Sequence, residues 1–351
     1  MPMPDDVTTD LLARCREAGF ALAGVAPCLP PARPEVLRAW LAAGHHGEMS
    51  YLDTNLDALL DPNRVLDGAR SVICVADRYH TGLRDRPTPP GFGRIARYAR
   101  GDDYHRVIKR RLIALCDDLA AAHPDASFRA CVDTAPLLER EHAARAGLGA
   151  IGKHTLLIER GIGSYLLLGE ILTTLDLAPT TSSADANPCG RCTRCLDACP
   201  TDAITPFAVD ATKCISYLTI EHRGPIDAAL HEAIGDWIFG CDICQEVCPH
   251  NQPTRRTRRA GTHAAYAPRR SGFDLLEVLG WDEDARRAAF TTSALKRAKL
   301  DMMKRNALIA AGNALRRADL PALRARLEAI AADESESDLV RETARTVLRM
   351  A

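Results

Sequence analysis

The sequence of 351 residues predicts an α+β protein in three parts: an N-terminal α/β domain, a cysteine-rich module and a helical C-terminal region. Three observations predict this arrangement. Short apolar runs alternate with helical patterns up to residue 178. Eight of the thirteen cysteines then lie between Cys189 and Cys248. Beyond the module, apolar residues recur at three- and four-residue spacings up to the C-terminus. The predicted parts are residues 1–178, 179–254 and 255–351.

The composition is that of a globular protein, with 46% hydrophobic and 26% charged residues. The net charge of −1 means that any nucleic-acid site must be a local basic patch. The sequence lacks an apolar run of the roughly 20 residues that span a bilayer. The acidic start MPMPDDVTTD lacks the pattern of a secretory signal. We therefore predict a cytoplasmic protein without membrane contact.

Strands and helices alternate in the N-terminal part. Helical periodicity is clear over Tyr104–Ala122. A second helix is predicted over Pro136–Gly147, because proline suits a first helical turn and glycine suits the position after the last. Thr81–Gly93 is too rich in proline and glycine for a regular element, and Thr180–Pro188 has the composition of a linker. Strands are predicted over Ala21–Ala26, Ser71–Ala76, Phe128–Val132, His154–Ile158 and Ser164–Leu172.

The cysteine module contains two copies of one motif. The first copy, CGRCTRCLDACP, has the C-x2-C-x2-C-x3-C-P spacing of bacterial ferredoxins. The second ends in GCDICQEVCPHN, and twenty-six residues separate its first cysteine, Cys214, from Cys241. In this motif the fourth thiolate binds the other cluster, which fixes a swapped arrangement. The predicted 4Fe–4S ligands are Cys189, Cys192, Cys195 and Cys248 for cluster one, and Cys199, Cys214, Cys241 and Cys244 for cluster two.

Structural zinc sites are the alternative for these cysteines, because C-x2-C pairs also bind zinc. The paired x3-C-P endings favour iron–sulfur clusters. The module would then carry electrons without itself transforming a substrate. Cys74, Cys116 and Cys131 lie in apolar elements, where cysteine behaves as a small hydrophobic residue, and we expect them to be buried.

The C-terminal region combines basic segments with helical patterns. Arg255–Arg259 and Lys296–Arg305 are candidate contacts for nucleic-acid phosphates, and ordinary solvated surface is the alternative. Helices are predicted over Arg305–Arg316, Leu320–Ala332 and Asp338–Met350. Their succession resembles one or two units of an α-solenoid.

Several motifs, in order and spacing, resemble one family. A dinucleotide fingerprint, a P-loop and an HExxH motif are all missing from the sequence. From about residue 95 onward the chain resembles the epoxyqueuosine reductases, cobalamin-dependent iron–sulfur enzymes that complete queuosine in tRNA. Ala150 departs from the family pattern, in which a tryptophan is expected after GLG. The resemblance is carried by the two cysteine motifs and by Ile95–Leu112, Val132–Glu141, Gly147–Ile158, Gly163–Leu177 and Leu295–Ala314.

The resemblance implies a fold, a reaction and partners. The N-terminal domain would be nitroreductase-like and would bind base-off cobalamin against a ferredoxin-like module. Electrons from a flavodoxin- or ferredoxin-type donor would pass through the clusters to cobalt. Epoxyqueuosine at the wobble position of a tRNA would lose its epoxide oxygen, leaving an alkene and water. A monomer is expected. The implied cobalamin contacts are Arg97, Lys153, His154, Thr155, Ser216 and Tyr217.

Asp133 stands where the family has its catalytic acid. Expelling an epoxide oxygen requires a proton donor, because an alkoxide is a poor leaving group. A pocket of cobalamin and apolar walls is expected to raise the pKa of Asp133 and to keep it protonated near neutral pH. The alternative role is that of a capping residue for the following helix.

Two other functions fit the same motifs. A reductive dehalogenase also joins cobalamin to two ferredoxin clusters, although such proteins usually carry an export signal. A two-cluster electron carrier would deliver electrons to a partner and would not need the 178 residues before the clusters. A corrinoid absorption spectrum would separate the enzymes from the carrier, and conversion of epoxyqueuosine in tRNA would separate the two enzymes.

Overall fold

A computed structural model describes residues 4–180, 187–254 and 261–351. Residues 181–186 of the predicted linker and the basic segment Arg255–Arg259 lie outside these ranges. The strands are β1 (Leu22–Pro27), β2 (Ser71–Arg78), β3 (Phe92–Ile95), β4 (Phe128–Cys131), β5 (Ala150–Ile151), β6 (Leu157–Ile158), β7 (Leu166–Thr173), β8 (Ile204–Thr205), β9 (Ala208–Val209), β10 (Trp237–Phe239) and β11 (Gly272–Asp274). The helices are α1 (Pro4–Glu17), α2 (Pro34–Ala42), α3 (Tyr51–Thr54), α4 (Leu56–Leu60), α5 (Tyr104–Ala122), α6 (Glu139–Arg145), α7 (Arg194–Asp197), α8 (Ile215–Ile220), α9 (His231–Ile234), α10 (Ile243–Glu246), α11 (Leu275–Leu279), α12 (Glu283–Ala289), α13 (Leu300–Leu315), α14 (Pro321–Ala332) and α15 (Asp338–Met350).

A four-stranded antiparallel sheet in the order β1-β2-β7-β4 forms the centre of the N-terminal part. All eight residues of β2 are buried, because each face of the sheet packs against helices. Ile73 and Val75 join a core with residues of α1 and α5, whereas Val72 and Cys74 join a core with residues of α6. The alternation follows from the two-residue side-chain period of a strand. Burial of Cys74 was predicted and is confirmed.

Helix α5 has the predicted bounds. Its apolar stripe of Ile108, Leu112, Leu115 and Leu119 is buried against the sheet. Helix α5 can pack closely on strand β7 because residue 169 of that strand is glycine. A Cβ atom at this position would lie 2.6 Å from Ile108 Cγ2. The opposite face of α5 is polar.

None of the helices in the described ranges is long and apolar enough to cross a bilayer.

Two predicted elements are shorter in the structure. The helix predicted from Pro136 begins only at Glu139, because the Glu139 side chain accepts the Asp133 backbone N–H and holds the intervening residues in a loop. The strand predicted over His154–Ile158 is reduced to β6, because His154 Nδ1 accepts the Leu156 N–H and stabilises a turn.

A second sheet joins distant parts of the chain. Its order is β10-β3-β11, with β10 parallel and β11 antiparallel to β3. Strand β3 overlaps the end of the predicted Thr81–Gly93 loop. Since β10 belongs to the cysteine module and β11 to the C-terminal region, this sheet ties both of them to the N-terminal part.

Three helices close the C-terminal region, as predicted, although α13 begins at Leu300. Polar residues of α13 hold the module: the Arg305 guanidinium donates to the carbonyls of Leu218, His222 and Gly224. Arg305 is 0% exposed, and the Lys304 ammonium pairs with a Glu336 carboxylate oxygen at 2.6 Å. The expectation that Lys296–Arg305 offers a continuous basic surface is therefore wrong at its end, where both cations serve internal contacts.

Candidate functional site

Four cysteines gather at one end of the module. Burial first, and then the charges of Cys189 and Cys195, raise the pKa of Cys248 to about 11. Burial, and then the charges of Cys189 and Cys192, likewise raise the pKa of Cys195. His250 lies 3.0 Å from the Pro188 carbonyl oxygen and joins the two segments. The last cysteine of the second motif therefore lies among the first three of the first motif.

The other four cysteines form a second group. Burial, with a contribution from the charge of Cys199, raises the pKa of Cys214. Burial, with contributions from Cys244 and Cys214, raises the pKa of Cys241 well above its usual value. Helix α7, which contains Cys195, and helix α10, which contains Cys244, pack against each other. Burial, with contributions from the charges of Cys214 and Cys195, also raises the pKa of Cys244, so the two groups are adjacent and their assignment to two clusters stays a prediction.

Backbone amides point at the sulfur atoms. The Lys153 N–H donates to Cys189 Sγ at 3.3 Å, and the Ala203 N–H donates to Cys199 Sγ at 3.4 Å. Such bonds help to set the potential of iron–sulfur clusters, so the donor set fits that class of group. Across the described ranges, no three ligating side chains converge as a single metal ion would require.

Arg97 lies in an ion network beside the second cysteine group. Its guanidinium is 3.0 Å from Asp85, 3.3 Å from Asp242 and 2.6 Å from Glu246. Its side chain is only 4% exposed. Asp242 directly follows Cys241. The structure therefore places Arg97 against the module, with its charge engaged by three carboxylates.

Asp133 follows strand β4, and its carboxylate lies at the protein surface. Its φ of 52° lies in the left-handed region, which non-glycine residues seldom adopt. Its backbone N–H donates to Glu139 Oε1 at 2.7 Å, and its carboxylate Oδ2 lies 3.0 Å from His105 Nε2. His105 Nδ1 in turn lies 2.7 Å from Asp103 Oδ1. The Asp133 side chain remains 55% exposed, so a substrate can reach it.

The charge state of Asp133 depends on its hydrogen-bond partners. Although partial burial acts to raise it, hydrogen bonds with His105 and Tyr104 hold the pKa of Asp133 below its usual range. Although burial acts to lower it, hydrogen bonds with Asp103 and Asp133 raise the pKa of His105 to about 9. Between these two side chains the proton therefore resides on His105, and the raised pKa expected of Asp133 in a pocket lined by cobalamin stays a prediction.

A second carboxyl group lies behind the Asp133 loop. Burial, and then the nearby Glu170 carboxylate, raise the pKa of Glu139 well above its usual value. Glu170 is 1% exposed and its Oε1 lies 3.0 Å from His142 Nδ1. The raised pKa favours the neutral form of Glu139, whose Oε1 accepts the Asp133 N–H.

Lys153, His154 and Thr155 form one turn beside the first cysteine group. Lys153 Nζ donates to the carbonyls of Gly190 and Cys192, each at 2.9 Å. Burial lowers the pKa of His154 to about 4, and its Nδ1 accepts the Leu156 N–H, so its proton is on Nε2. Within the described ranges that buried Nε2 has no hydrogen-bond partner. Thr155 receives two hydrogen bonds from the neighbouring Arg140.

Ser216 and Tyr217 begin helix α8 on the module side. Ser216 is half-buried, whereas Tyr217 is buried. The Tyr217 hydroxyl accepts the Glu48 N–H at 2.6 Å. A Cβ atom at Gly47 would lie 2.3 Å from that hydroxyl. The backbone of residues 47–48 can therefore lie this close to Tyr217 only because residue 47 is glycine. Tyr217 therefore joins the module to the N-terminal part.

Several residues of the cleft were not singled out from the sequence. His105 and Glu139 lie in motifs that carry the family resemblance, but their spacings from Asp133, 28 and 6 residues, form no recognised pattern. Tyr51 and Arg297 come from segments far apart in sequence. The ring of Tyr51 has the Arg297 guanidinium 5.7 Å from its centroid. Only the tertiary structure brings these residues to one site.

Comparison with known proteins first defines the class. Residues 188–251 match the family model "4Fe-4S double cluster binding domain". With an acid–base pair in a cleft beside this domain, the fold and the site define a two-cluster iron–sulfur oxidoreductase. This result replaces the zinc alternative.

The chain belongs to the epoxyqueuosine reductase family. Residues 60–134 match the family model "Epoxyqueuosine reductase QueG, DUF1730". The epoxyqueuosine reductase of Pseudomonas aeruginosa is 38% identical over 95% of this chain and 91% of its own length. The dehalogenase and simple-carrier alternatives are therefore set aside.

Solved structures of the family share the mixed α+β fold. An epoxyqueuosine reductase in complex with an epoxyqueuosine-modified tRNA-Tyr stem loop has a TM-score of 0.86 and 26% identity, over 97% of this chain and 88% of that chain. The Streptococcus thermophilus epoxyqueuosine reductase has a TM-score of 0.84 and 27% identity, over 98% of this chain and 90% of that chain.

Proposed function

We propose that this protein reduces epoxyqueuosine to queuosine in tRNA, with Asp133 as the proton donor to the epoxide oxygen. Removal of that oxygen as water consumes two electrons and two protons. The observation that supports the role of Asp133 is its hydrogen bond to a protonated His105 at an open cleft. Family membership supports the substrate and the reaction.

The two cysteine groups are proposed as the cluster ligands. Cluster one would be held by Cys189, Cys192, Cys195 and Cys248, and cluster two by Cys199, Cys214, Cys241 and Cys244. The proximity of Cys248 to Cys189 and Cys195, and of Cys214 to Cys199, supports this swapped assignment. The loop around Gly190 is exposed, which suits docking of a low-potential donor of the flavodoxin or ferredoxin type to a monomer.

Protons are proposed to reach the epoxide through His105. The imidazolium Nε2–H passes its proton to Asp133 Oδ2, and Asp133 passes a proton to the departing oxygen as negative charge develops there. Asp103 keeps the imidazolium charged and oriented through Nδ1. The pair is an alternative source of the proton to a carboxylic acid that a cobalamin pocket keeps protonated near neutral pH.

Base-off cobalamin is the proposed second cofactor and would supply a reduced cobalt that delivers electrons to the substrate. Of the predicted contacts, His154 fits best, because its buried Nε2–H lacks an acceptor within the described ranges. Thr155, beside His154, and the half-buried Ser216 of α8 are further proposed contacts through their hydroxyl groups. Lys153, Tyr217 and Arg97 would act indirectly, since the first two hold the cleft walls and the third is enclosed by carboxylates.

The direct test is anaerobic incubation of cluster-reconstituted protein with cobalamin, a strong reductant and tRNA that contains epoxyqueuosine. Digestion to nucleosides and mass analysis should show queuosine, a loss of one oxygen atom. Epoxyqueuosine that stays unconverted in protein with full iron and corrinoid content would overturn the proposal.

A further inference from the structure

An exposed aromatic ring stands at the rim of the Asp133 cleft. Tyr51, in α3, is 44% exposed. In the described part of the chain, Phe207 is the other aromatic residue among the exposed large apolar side chains. Tyrosine is enriched at binding interfaces because its ring is apolar and its hydroxyl group is polar.

The Tyr51 ring is supported from one side. The Arg297 guanidinium lies 5.7 Å from the ring centroid, within the range of a cation–π contact. Glu221 binds that guanidinium through both oxygens, at 2.8 Å to Nε and 2.7 Å to a terminal nitrogen. A bidentate pair fixes the guanidinium plane, so the ring has a defined support and one free face.

Two hydrogen bonds place this support beside the proton donor. The Asp103 N–H donates to the Thr292 carbonyl at 2.7 Å, and the Ser293 hydroxyl donates to the Ala99 carbonyl at 3.0 Å. The segment that leads to Arg297 therefore packs on the segment that carries His105. The charge of Arg297 is close enough to contribute to the lowered pKa of Asp133.

We propose that Tyr51, supported by Arg297 and Glu221, is a stacking platform for an unpaired base of the RNA loop that presents the substrate. The inference rests on the proposed function, which supplies a single-stranded loop at this cleft. Bases of such loops are commonly recognised by stacking on aromatic side chains and arginine planes. The platform would orient the substrate nucleoside towards Asp133 through its neighbour in the loop or through its own base.

The test measures the affinity of an end-labelled stem-loop RNA containing epoxyqueuosine for protein loaded with clusters and cobalamin. Tyr51→Ala should weaken binding about tenfold, the typical scale for one stacked base. The slope of log affinity against log salt should stay unchanged, because no phosphate contact is lost. Tyr51→Phe should bind like the wild type. Leu276→Ala, which removes another exposed apolar side chain, is the matched control.

Three results would overturn the platform. Tyr51→Ala could bind RNA as the wild type does, or it could change the salt slope, which would indicate a phosphate contact. It could also lower cobalamin uptake measured without RNA, which would assign the ring to the corrin. If the wild type converts the RNA and Tyr51→Ala binds normally, only the platform fails. If the wild type neither binds nor converts the RNA, the proposed function fails as well.

Discussion

His105 Nε2 lies 3.0 Å from Asp133 Oδ2, and the proton that they share belongs to the imidazole. In the proposed mechanism, the acid of this site is therefore the His105–Asp133 pair. A charged pair in an open cleft can be reloaded from water after each turnover. Its protonation also gives the reaction a pH dependence.

Turnover should fall as pH rises through about 9. The folded-state pKa of His105 is raised from 6.5 to about 9 by its two carboxylate partners. The imidazolium is therefore intact at neutral pH and is lost near pH 9. The same pair contributes stability that is complete below about pH 6.5 and disappears as pH rises towards 9. Single-turnover rates measured between pH 6 and 10 would show this decrease. His105→Gln should abolish the decrease and should also lose most of the rate. An identical pH profile in His105→Gln would exclude the relay.

Glu139→Ala should lower kcat ten- to a hundredfold while the affinity for the stem-loop RNA stays unchanged. The buried Glu139 side chain accepts the Asp133 backbone N–H, so its loss should misplace the proposed acid without removing a substrate contact. Glu139→Gln keeps the accepting oxygen and resembles the neutral carboxyl, so it should retain most of the activity. Equal losses in both variants would mean that Glu139 does more than position the loop.

Paired cysteine variants should reveal the swapped cluster ligands. Because Cys189 and Cys248 are assigned to the same cluster, Cys189→Ala with Cys248→Ala should leave one cluster and about four iron atoms per chain. Cys189→Ala with Cys199→Ala, two cysteines of one motif that are assigned to different clusters, should remove both clusters. Iron analysis of anaerobically prepared protein distinguishes the two variants. The reverse pattern would show that each motif builds its own cluster.

Arg305→Ala should destabilise the protein by about 2–4 kcal/mol. The substitution leaves the carbonyls of Leu218, His222 and Gly224 without their buried donor, at about 1–3 kcal/mol each, partly offset by removal of a desolvated charge. Arg345→Ala, at an exposed position of α15, should stay within about 0.5 kcal/mol. Thermal unfolding followed by circular dichroism would check both. A wild-type midpoint for Arg305→Ala would assign Arg305 a surface role after all.

Local signals predicted much of the fold. Tyr104–Ala122 and Asp338–Met350 have the predicted bounds because a strong apolar period and clear ends act within one helix. The start of α6 was predicted too early. The Glu139 side chain accepts the Asp133 backbone N–H and so keeps the residues between them out of the helix. Strand β3 was hidden in a proline- and glycine-rich segment, since its partners come from the module and the C-terminal region.

The candidate site was predictable where one residue type at a fixed spacing defines it, as in the two cysteine motifs. The charge of Asp133 could not be predicted, because it depends on His105, Tyr104 and Arg297, which come close to Asp133 only when the chain folds. The burial of Arg305 could not be predicted either, because the basic residues around it in the sequence suggested a position at the surface.

The most direct measurement of the central claim is a single turnover of Asp133→Asn beside the wild type, both with full iron and corrinoid content and pre-reduced under anaerobic conditions. The wild type should convert epoxyqueuosine in the stem-loop RNA to queuosine, as read by nucleoside mass analysis. Asp133→Asn should bind the RNA but form no queuosine. Queuosine formation at the wild-type rate by Asp133→Asn would contradict the account.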